Sequence, residues 1–454
     1  MGMKNIEKRS FFYGLLKSVV MFWHNKVYYR RIIVLNAGNV PKNELVIFAP
    51  NHQNALMDAM AVLGTQPGQP VFLARSDIFK KKFIADILTF LKILPVYRIR
   101  DGYASLKNND QIFRKTIDVI ENKNGLVVLP EGNHAPYRRL RILKKGIARL
   151  AFQAAEKNNF SKDIKIVPVG IDYSDYYKFR QKLTVNYGEP ISLSDYYDLY
   201  RENPNKAIIT LMRDLSERMK KQMIHIDDPD HYETIDHLRT LFAERIANRL
   251  QKNLKPLQRF RSQQEFVTLL NEFIHRDKDT LDNLEQEVQA YTNEIQKFGL
   301  RSWVLNKQKM TIAGFLWRIM VLIVFFPVFL YGLINNWMPY KLPVVLASKV
   351  KDKAFTSSLK FVLSFIFFPL FHLIQTLLAG ILTDSLQIAL IYLVSLPLSG
   401  IFAFQYYIAF KKFRARWRYS WLARKQNPEI QRLEKLHHIL QDFIYRVSKK
   451  EKII

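Results

Sequence analysis

The chain is 454 residues long and 48% hydrophobic, enough to build cores for two or three domains. It has no cysteine, which excludes a disulfide scaffold, a thiolate nucleophile and a cysteine zinc site. A formal net charge of +29 calls for an anionic partner, either nucleic acid or an anionic membrane surface. Much of that charge flanks long apolar runs near the C-terminus, where it reads as membrane topology. Zinc-finger spacing, RNA-binding aromatic signatures and a Walker loop are all missing from the sequence, so no nucleic-acid partner is expected.

Residues 1–40 read as an amphipathic membrane-interface segment. Phe11 to Trp23 is an apolar run interrupted by Lys17 and followed by Lys26, Arg30 and Arg31. It is too short to span a bilayer and lacks a small-residue cleavage site, which rejects a signal peptide. A helix lying in the interface and a helix packed on the following domain both satisfy the pattern.

Residues 41–200 alternate between two periodicities. Strand-like runs occur at Val46 to Phe48, Val71 to Ala74, Leu94 to Tyr97, Leu126 to Leu129, Ile164 to Val169 and Leu183 to Tyr187. Helical patterns such as Ile112 to Ile120 and Gly146 to Ala155 fall between them. Strands alternating with helices predict an α/β domain with a largely parallel sheet, whose strand ends should hold the site.

The first of those ends is Pro50-Asn51-His52-Gln53-Asn54-Ala55-Leu56-Met57-Asp58, a strand-to-helix turn. His52 there can leave the sheet edge as a general base. Asp58 can fix its tautomer and stabilise the imidazolium. Taken alone, the pair also reads as a turn residue and a solvated helix residue.

Three further strand ends follow. Leu94 to Tyr97 leads into Arg98 and Arg100, either of which can offer a planar fork to a phosphate. Leu129-Pro130-Glu131-Gly132-Asn133-His134-Ala135 precedes Arg138, Arg139, Arg141, Lys144 and Lys145, a cationic loop running into a helix start. In Val167-Pro168-Val169-Gly170, a strand expected to end at Gly170 leaves room for an acyl chain or for other backbone.

In order and spacing these stretches resemble the four signature blocks of the glycerolipid acyltransferases, over roughly residues 45 to 191. The usual first block has four residues between His and Asp, whereas five intervene between His52 and Asp58. That departure is shared by the branch containing the dual-substrate glycerol-3-phosphate/dihydroxyacetone-phosphate acyltransferases. The usual third block, Glu-Gly-Thr-Arg-Ser, is replaced by Glu131-Gly132-Asn133-His134-Ala135. The same branch carries His after the glycine stretch and a later Leu-Lys-x-Gly-x-Ala, matched by Leu143-Lys144-Lys145-Gly146-Ile147-Ala148. Its Phe-Arg segment and Gly-x-Pro are echoed by Phe179-Arg180 and Gly188-Glu189-Pro190.

The resemblance implies acyl transfer from an acyl thioester, on coenzyme A or acyl carrier protein, to a hydroxyl of glycerol 3-phosphate. His52 and Asp58 would be the catalytic pair. Arg98, Glu131, Gly132, His134, Arg138 and Arg139 would form the substrate-phosphate region, with Asn51, Arg100, Lys144, Lys145 and Gly170 as secondary candidates. No metal and no permanently bound cofactor are expected. Lysophosphatidate is the alternative acceptor, and a non-catalytic scaffold binding anionic lipid is the alternative from another class.

Residues 201–305 read as a helical region. Ser262 and Glu265 fit a capping box, and Leu281, Leu284, Val288, Tyr291, Ile295 and Phe298 fit a heptad stripe. Together they suggest an antiparallel helical pair, with the short stripe expected as an intramolecular seam. His225, Asp227, Asp228, Asp230 and His231 read as a turn, with Asp230 and Glu233 capping the next helix, and not as a metal site; His437-His438 is read the same way.

Residues 306–410 read as a membrane domain and residues 411–454 as a basic cytoplasmic tail. Phe361 to Leu382 and Leu386 to Phe410 are each long enough to cross a bilayer. Thr311 to Trp337 carries Arg318 and Pro327. Lys341 to Lys360 and the residues after Phe410 are basic, which predicts both to be cytoplasmic. The last two spans then form a hairpin, and Thr311 to Trp337 enters and leaves on the cytoplasmic side, bent near Pro327. The expectation is an integral membrane protein with its catalytic domain on the cytoplasmic face.

Overall fold

The computed structural model describes residues 5–97, 108–249, 255–276 and 278–448. The chain forms two compact units, Met1–His225 with Ala347–Phe361, and Ile226–Leu346 with Val362–Ile454.

The first unit is built on one sheet. Strands β1 (Arg31–Leu35), β2 (Leu45–Pro50), β3 (Val71–Arg75), β4 (Ile93–Val96), β5 (Leu126–Val127), β6 (Ile164–Tyr173) and β7 (Lys182–Tyr187) run in the order β1-β7-β6-β2-β5-β3-β4, with β8 (Ile191–Ser192) beside β6. All pairings are parallel except β6 with β7 and β6 with β8. The central strand β2 is buried along its whole length, because helices cover both faces. Its alternate side chains enter two cores. Leu45, Ile47 and Ala49 pack with α4 (Asn108–Glu121), α5 (Gly146–Lys157) and α7 (Pro204–Gln222). Val46 and Phe48 pack with α2 (Leu56–Thr65) and with Tyr28 and Tyr29. A one-residue slip would exchange the two sets, so the register is firmly fixed.

The N-terminal segment differs from its expected boundary. Residues 31–35 are an edge strand, largely half-exposed, so no clear alternation marks them in the sequence. Helix α1 (Phe11–Phe22) buries Tyr13 and Met21 while Phe11, Phe12, Leu15, Val19 and Phe22 remain exposed. One face of this helix is thus packed and the other is apolar and exposed. At the other end of the unit, α7 packs in the sheet's core, so the first unit runs past residue 200 to His225.

In the second unit, α8 (Tyr232–Arg249), α9 (Pro256–Arg276) and α10 (Lys278–Lys297) pack with the C-terminal α15 (Pro428–Ser448). The expected capping box at Ser262 is overturned. The helix begins at Pro256, a residue suited to a first turn, and Ser262 inside it donates to the Gln258 carbonyl at 2.9 Å. Ahead of α8 it is Asp228 that accepts from the Asp230 and His231 amides, in place of the expected Asp230 cap. The stripe is an intramolecular seam. Leu284, Val288, Tyr291 and Phe298 are buried, and Tyr291 Oη lies 3.0 Å from His437 Nδ1. Within residues 411–454, Leu386–Arg424 continues as one helix to Arg424 and α15 belongs to the packed unit.

Three long apolar helices follow, α12 (Ile312–Ser348), α13 (Thr356–Thr383) and α14 (Leu386–Arg424), each long and apolar enough to cross a membrane. Helix α12 has 37 residues, a contour of about 55 Å against a hydrocarbon core of about 30 Å. Its first part runs antiparallel to α14. Leu322 pairs with Tyr406, Gly332 with Ser399, and Asn336 with Leu396. Helices α13 and α14 are themselves antiparallel across the turn at Asp384, where Gly380 meets Ala389. The first part of α12 is therefore parallel to α13. Tyr340 lies against Phe404 of α14. Pro327, Pro339 and Pro343 lie inside α12, where each removes a ladder hydrogen bond.

Gly170 is decided by the fold. Strand β6 does not end there but continues to Tyr173, and a Cβ on Gly170 would lie 1.9 Å from the Gln222 carbonyl oxygen at the end of α7. The missing side chain admits backbone, so Gly170 leaves the set of secondary site candidates. Gly170→Ala should destabilise the protein by about 3 kcal/mol, the upper range for overpacking, and thermal unfolding in detergent will read this as a lowered Tm.

Candidate active site

The site begins where β2 stops. Asn51 is fully buried, with its side-chain oxygen accepting from the Ile171 amide at 2.6 Å and its amide donating to the Ile171 carbonyl at 3.1 Å. It therefore extends the β2–β6 ladder by one side chain and is a fixed anchor, although it was a secondary candidate for the site. The backbone then turns through Ala55, at φ 44° and ψ −122°, before α2 begins. Positive φ costs a residue with a Cβ of order 1–3 kcal/mol, so the surrounding contacts must hold it.

They converge on Asp58. Its Oδ2 accepts from the Gln53 and Asn54 amides, both at 2.7 Å, and lies 2.8 Å from His52 Nδ1. Its Oδ1 accepts from the Tyr173 hydroxyl at 2.7 Å. An isolated buried carboxylate would cost several kcal/mol, and these donors offset that cost while closing the turn. Burial, then the charge of Asp58, pushes the Tyr173 phenol well above its usual range, so it stays a donor. With Nδ1 turned to Asp58, His52 keeps Nε2 without a protein partner among the described residues. The His52 side chain is 15% exposed.

The loop after β5 grips the same turn from the other side. Glu131 Oε1 accepts from the His52 amide at 2.6 Å, and Oε2 accepts from Arg141 Nε at 2.9 Å and the Arg141 amide at 3.1 Å. Arg141 also donates to the carbonyls of His52 and Asn133. Burial pushes the Glu131 carboxyl up, opposed by the His52 amide and by Arg141. Gly132, at φ 72°, makes the bend that this clamp requires. Arg141 was not singled out in the sequence. Its signal was its place in the basic run, ten residues after Glu131.

The remaining candidates separate. Arg138 is buried, with Nε donating to Asp172 at 2.9 Å and Nη2 to the Tyr173 carbonyl, and its guanidinium lies over the Tyr176 ring. It braces the end of β6. Arg139, Lys144 and Lys145 are exposed. His134 is half-buried, its ring centroid 5.2 Å from that of His52 and its Nε2 3.5 Å from Asp352. Burial, then the neighbouring His52, lowers its pKa, so it is a neutral ring beside the catalytic candidate. Arg98 and Arg100 lie outside the described residues. No grouping of His, Asp and Glu suited to a metal occurs among the described residues.

A buried carboxylate holding one ring nitrogen while the other stays open is the arrangement of a general base with its orienting partner. Residues 31–172, which contain His52, Asp58, Glu131 and Arg141, match the model of the Acyltransferase family. Glycerol-3-phosphate O-acyltransferase 1 of Saccharomyces cerevisiae is 22% identical over 214 residues, 46% of this chain and 27% of its own length. Glycerol-3-phosphate O-acyltransferase 2 of the same yeast is 26% identical over 141 residues, 31% of this chain and 19% of its own length. The chain thus spans about a quarter or less of these relatives. Among solved structures, a 1-acyl-sn-glycerophosphate acyltransferase from Thermotoga maritima aligns with TM-score 0.30 and 21% identity, covering 47% of this chain and 78% of its own. The stretch that is similar to the Acyltransferase family, residues 31–172, contains His52, Asp58 and Glu131.

Proposed function

We propose that the protein transfers a fatty acyl group from an acyl thioester to a hydroxyl of glycerol 3-phosphate. The observation that carries this reading is the His52–Asp58 pair, with Nδ1 held at 2.8 Å and Nε2 open. His52 Nε2 takes the hydroxyl proton as the oxygen bonds to the thioester carbonyl carbon. The carbon–sulfur bond then breaks and the thiolate takes a proton from the imidazolium, so atoms and charge balance. Asp58 stabilises the imidazolium between the two steps. Coenzyme A or acyl carrier protein carries the acyl group.

Among the proposed phosphate ligands, Arg138 is turned inward, so Arg139 with Lys144 and Lys145 forms the exposed cationic rim of the same loop. Arg141 adds an Nη1 without a hydrogen-bond partner among the described residues to that rim, while its Nε and Nη2 hold Glu131 and the turn. Glu131 itself is a clamp on the His52 backbone, a role suited to a carboxylate that would repel phosphate.

In the proposed membrane arrangement α12 enters and leaves on one face, α13 and α14 form a hairpin, and the link Ser348 to Thr356, the catalytic unit and the basic residues after Phe410 share the cytoplasmic side. Non-linear helix inside a bilayer needs protein around it, and α14 supplies that along α12.

His52→Ala should reduce turnover by at least about a thousandfold, and Asp58→Asn by a similar order. The assay is labelled acyl thioester with glycerol 3-phosphate, dihydroxyacetone phosphate and lysophosphatidate in parallel; near-normal turnover in the His52 variant would sink the mechanism. Preference for lysophosphatidate would move the protein to the second acylation step.

Arg139→Gln should raise the apparent KM for glycerol 3-phosphate about tenfold or more, the worth of one charge-assisted contact, with the KM for the thioester unchanged. An equal rise in both would reassign Arg139 to the phosphates of the acyl carrier.

Because the chain has no cysteine, single cysteines at Lys351, Thr383 and Lys425 can be probed with an impermeant thiol reagent in intact cells or spheroplasts. Labelling at position 383 alone is expected. Labelling at 425 would require another topology.

A further inference from the structure

The helix that carries Asp58 has a poor beginning. Ser, Thr, Asp or Asn normally supplies a side-chain acceptor to the first free amides of a helix, and Ala55 at this position has none. The Met57 and Asp58 amides reach back to the Asn54 and Ala55 carbonyls. The Leu56 amide is taken by Ser358 Oγ, 3.2 Å away and 302 residues further along the chain. Ser358 is buried, so loss of its hydroxyl would leave that amide facing a methyl group.

Its neighbour works on the same turn. Ser357 Oγ donates to the Tyr176 carbonyl at 2.6 Å, an oxygen that also accepts from Asn54 Nδ2 at 3.2 Å. The Tyr176 hydroxyl in turn donates to Gln53 Oε1 at 3.0 Å. Earlier in the same segment, Asp352 Oδ2 lies 3.5 Å from His134 Nε2, and the Phe355 ring is 4.6 Å from the His134 ring, edge to face. His134 is the ring beside His52. One segment therefore reaches the turn at its helix start, at the Gln53 and Asn54 side chains by way of Tyr176, and through His134.

We infer that Ala347–Phe361, the segment at the junction of two long apolar helices, is a working part of the acyltransferase site, with Ser358 as a positioning residue for Asp58 and His52. Its side chain closes the start of the Asp58 helix, and Asp352 with Phe355 seats His134 against the catalytic ring. The geometry of the general base then depends on a segment distant in sequence and outside residues 31–172. The inference rests on the catalytic assignment of His52 and Asp58.

The test uses the full chain in detergent micelles or nanodiscs. Ser358→Ala should lower kcat about five- to tenfold, with both KM values within about twofold and with faster hydrogen exchange at the Leu56 to Asp58 amides. Ser358→Thr, which keeps the hydroxyl, should recover most of kcat. Asp352→Asn alters an exposed carboxylate and should lower kcat by a few-fold without changing KM; it stands in if Ser358→Ala does not fold. Full kcat in the variant used, a loss confined to KM, or no recovery by Ser358→Thr overturns the inference. Failure of the catalytic assignment is distinct, because His52→Ala would then retain turnover.

Discussion

The buried carboxylate of Asp58 is the constraint on which the site depends. A charge without water must be met by donors, and those that meet it are the Gln53 and Asn54 amides, the His52 ring and the Tyr173 hydroxyl. Two of these donors are the backbone of the turn itself. The carboxylate therefore orients the histidine and shapes the loop presenting it, including the left-handed Ala55 that the chain would otherwise avoid. Chemistry and local folding are not separable at this residue.

A second carboxylate works in the opposite direction. Glu131 fixes the amide of His52 from the neighbouring strand end, and Arg141 neutralises it while reaching round to the His52 carbonyl. The turn is thus held on its helical side by Asp58 and on its loop side by Glu131 with Arg141. Both grips reach strand ends on the same side of a parallel sheet, where helix starts and loop amides already concentrate positive potential.

The second unit shows how prolines shape an apolar chain. Composition alone makes α12, α13 and α14 alike. Their contacts differ. Helix α12 meets α14 through the Asn336–Leu396 and Tyr340–Phe404 pairs, and its Pro327, Pro339 and Pro343 each leave a ladder hydrogen bond unmade, which makes a helix easier to bend. Asn336, buried among these helices, donates to the Gly332 and Leu396 carbonyls and satisfies polar groups that lipid could not.

Much of the site was legible in the order of short motifs. Apolar runs of strand length gave β2 to β7 to within a few residues, because strands buried on both faces are continuous in hydrophobicity, and His52 and Asp58 stood at the end of the first. Strand β1 was hidden, since an edge strand buries too little to leave a pattern. The sequence by itself determined the α/β class, the pairing of His52 with Asp58 and the long apolar segments, all of which depend on local composition and spacing. Only the tertiary structure decided that Arg138 faces inward to Asp172, that Gly170 admits the Gln222 backbone, that Arg141 clamps Glu131, and that Ser358 caps the Asp58 helix. Each of those turns on which distant atoms lie within about 3 Å of one another, a quantity that hydrogen bonding reads and that no local pattern encodes.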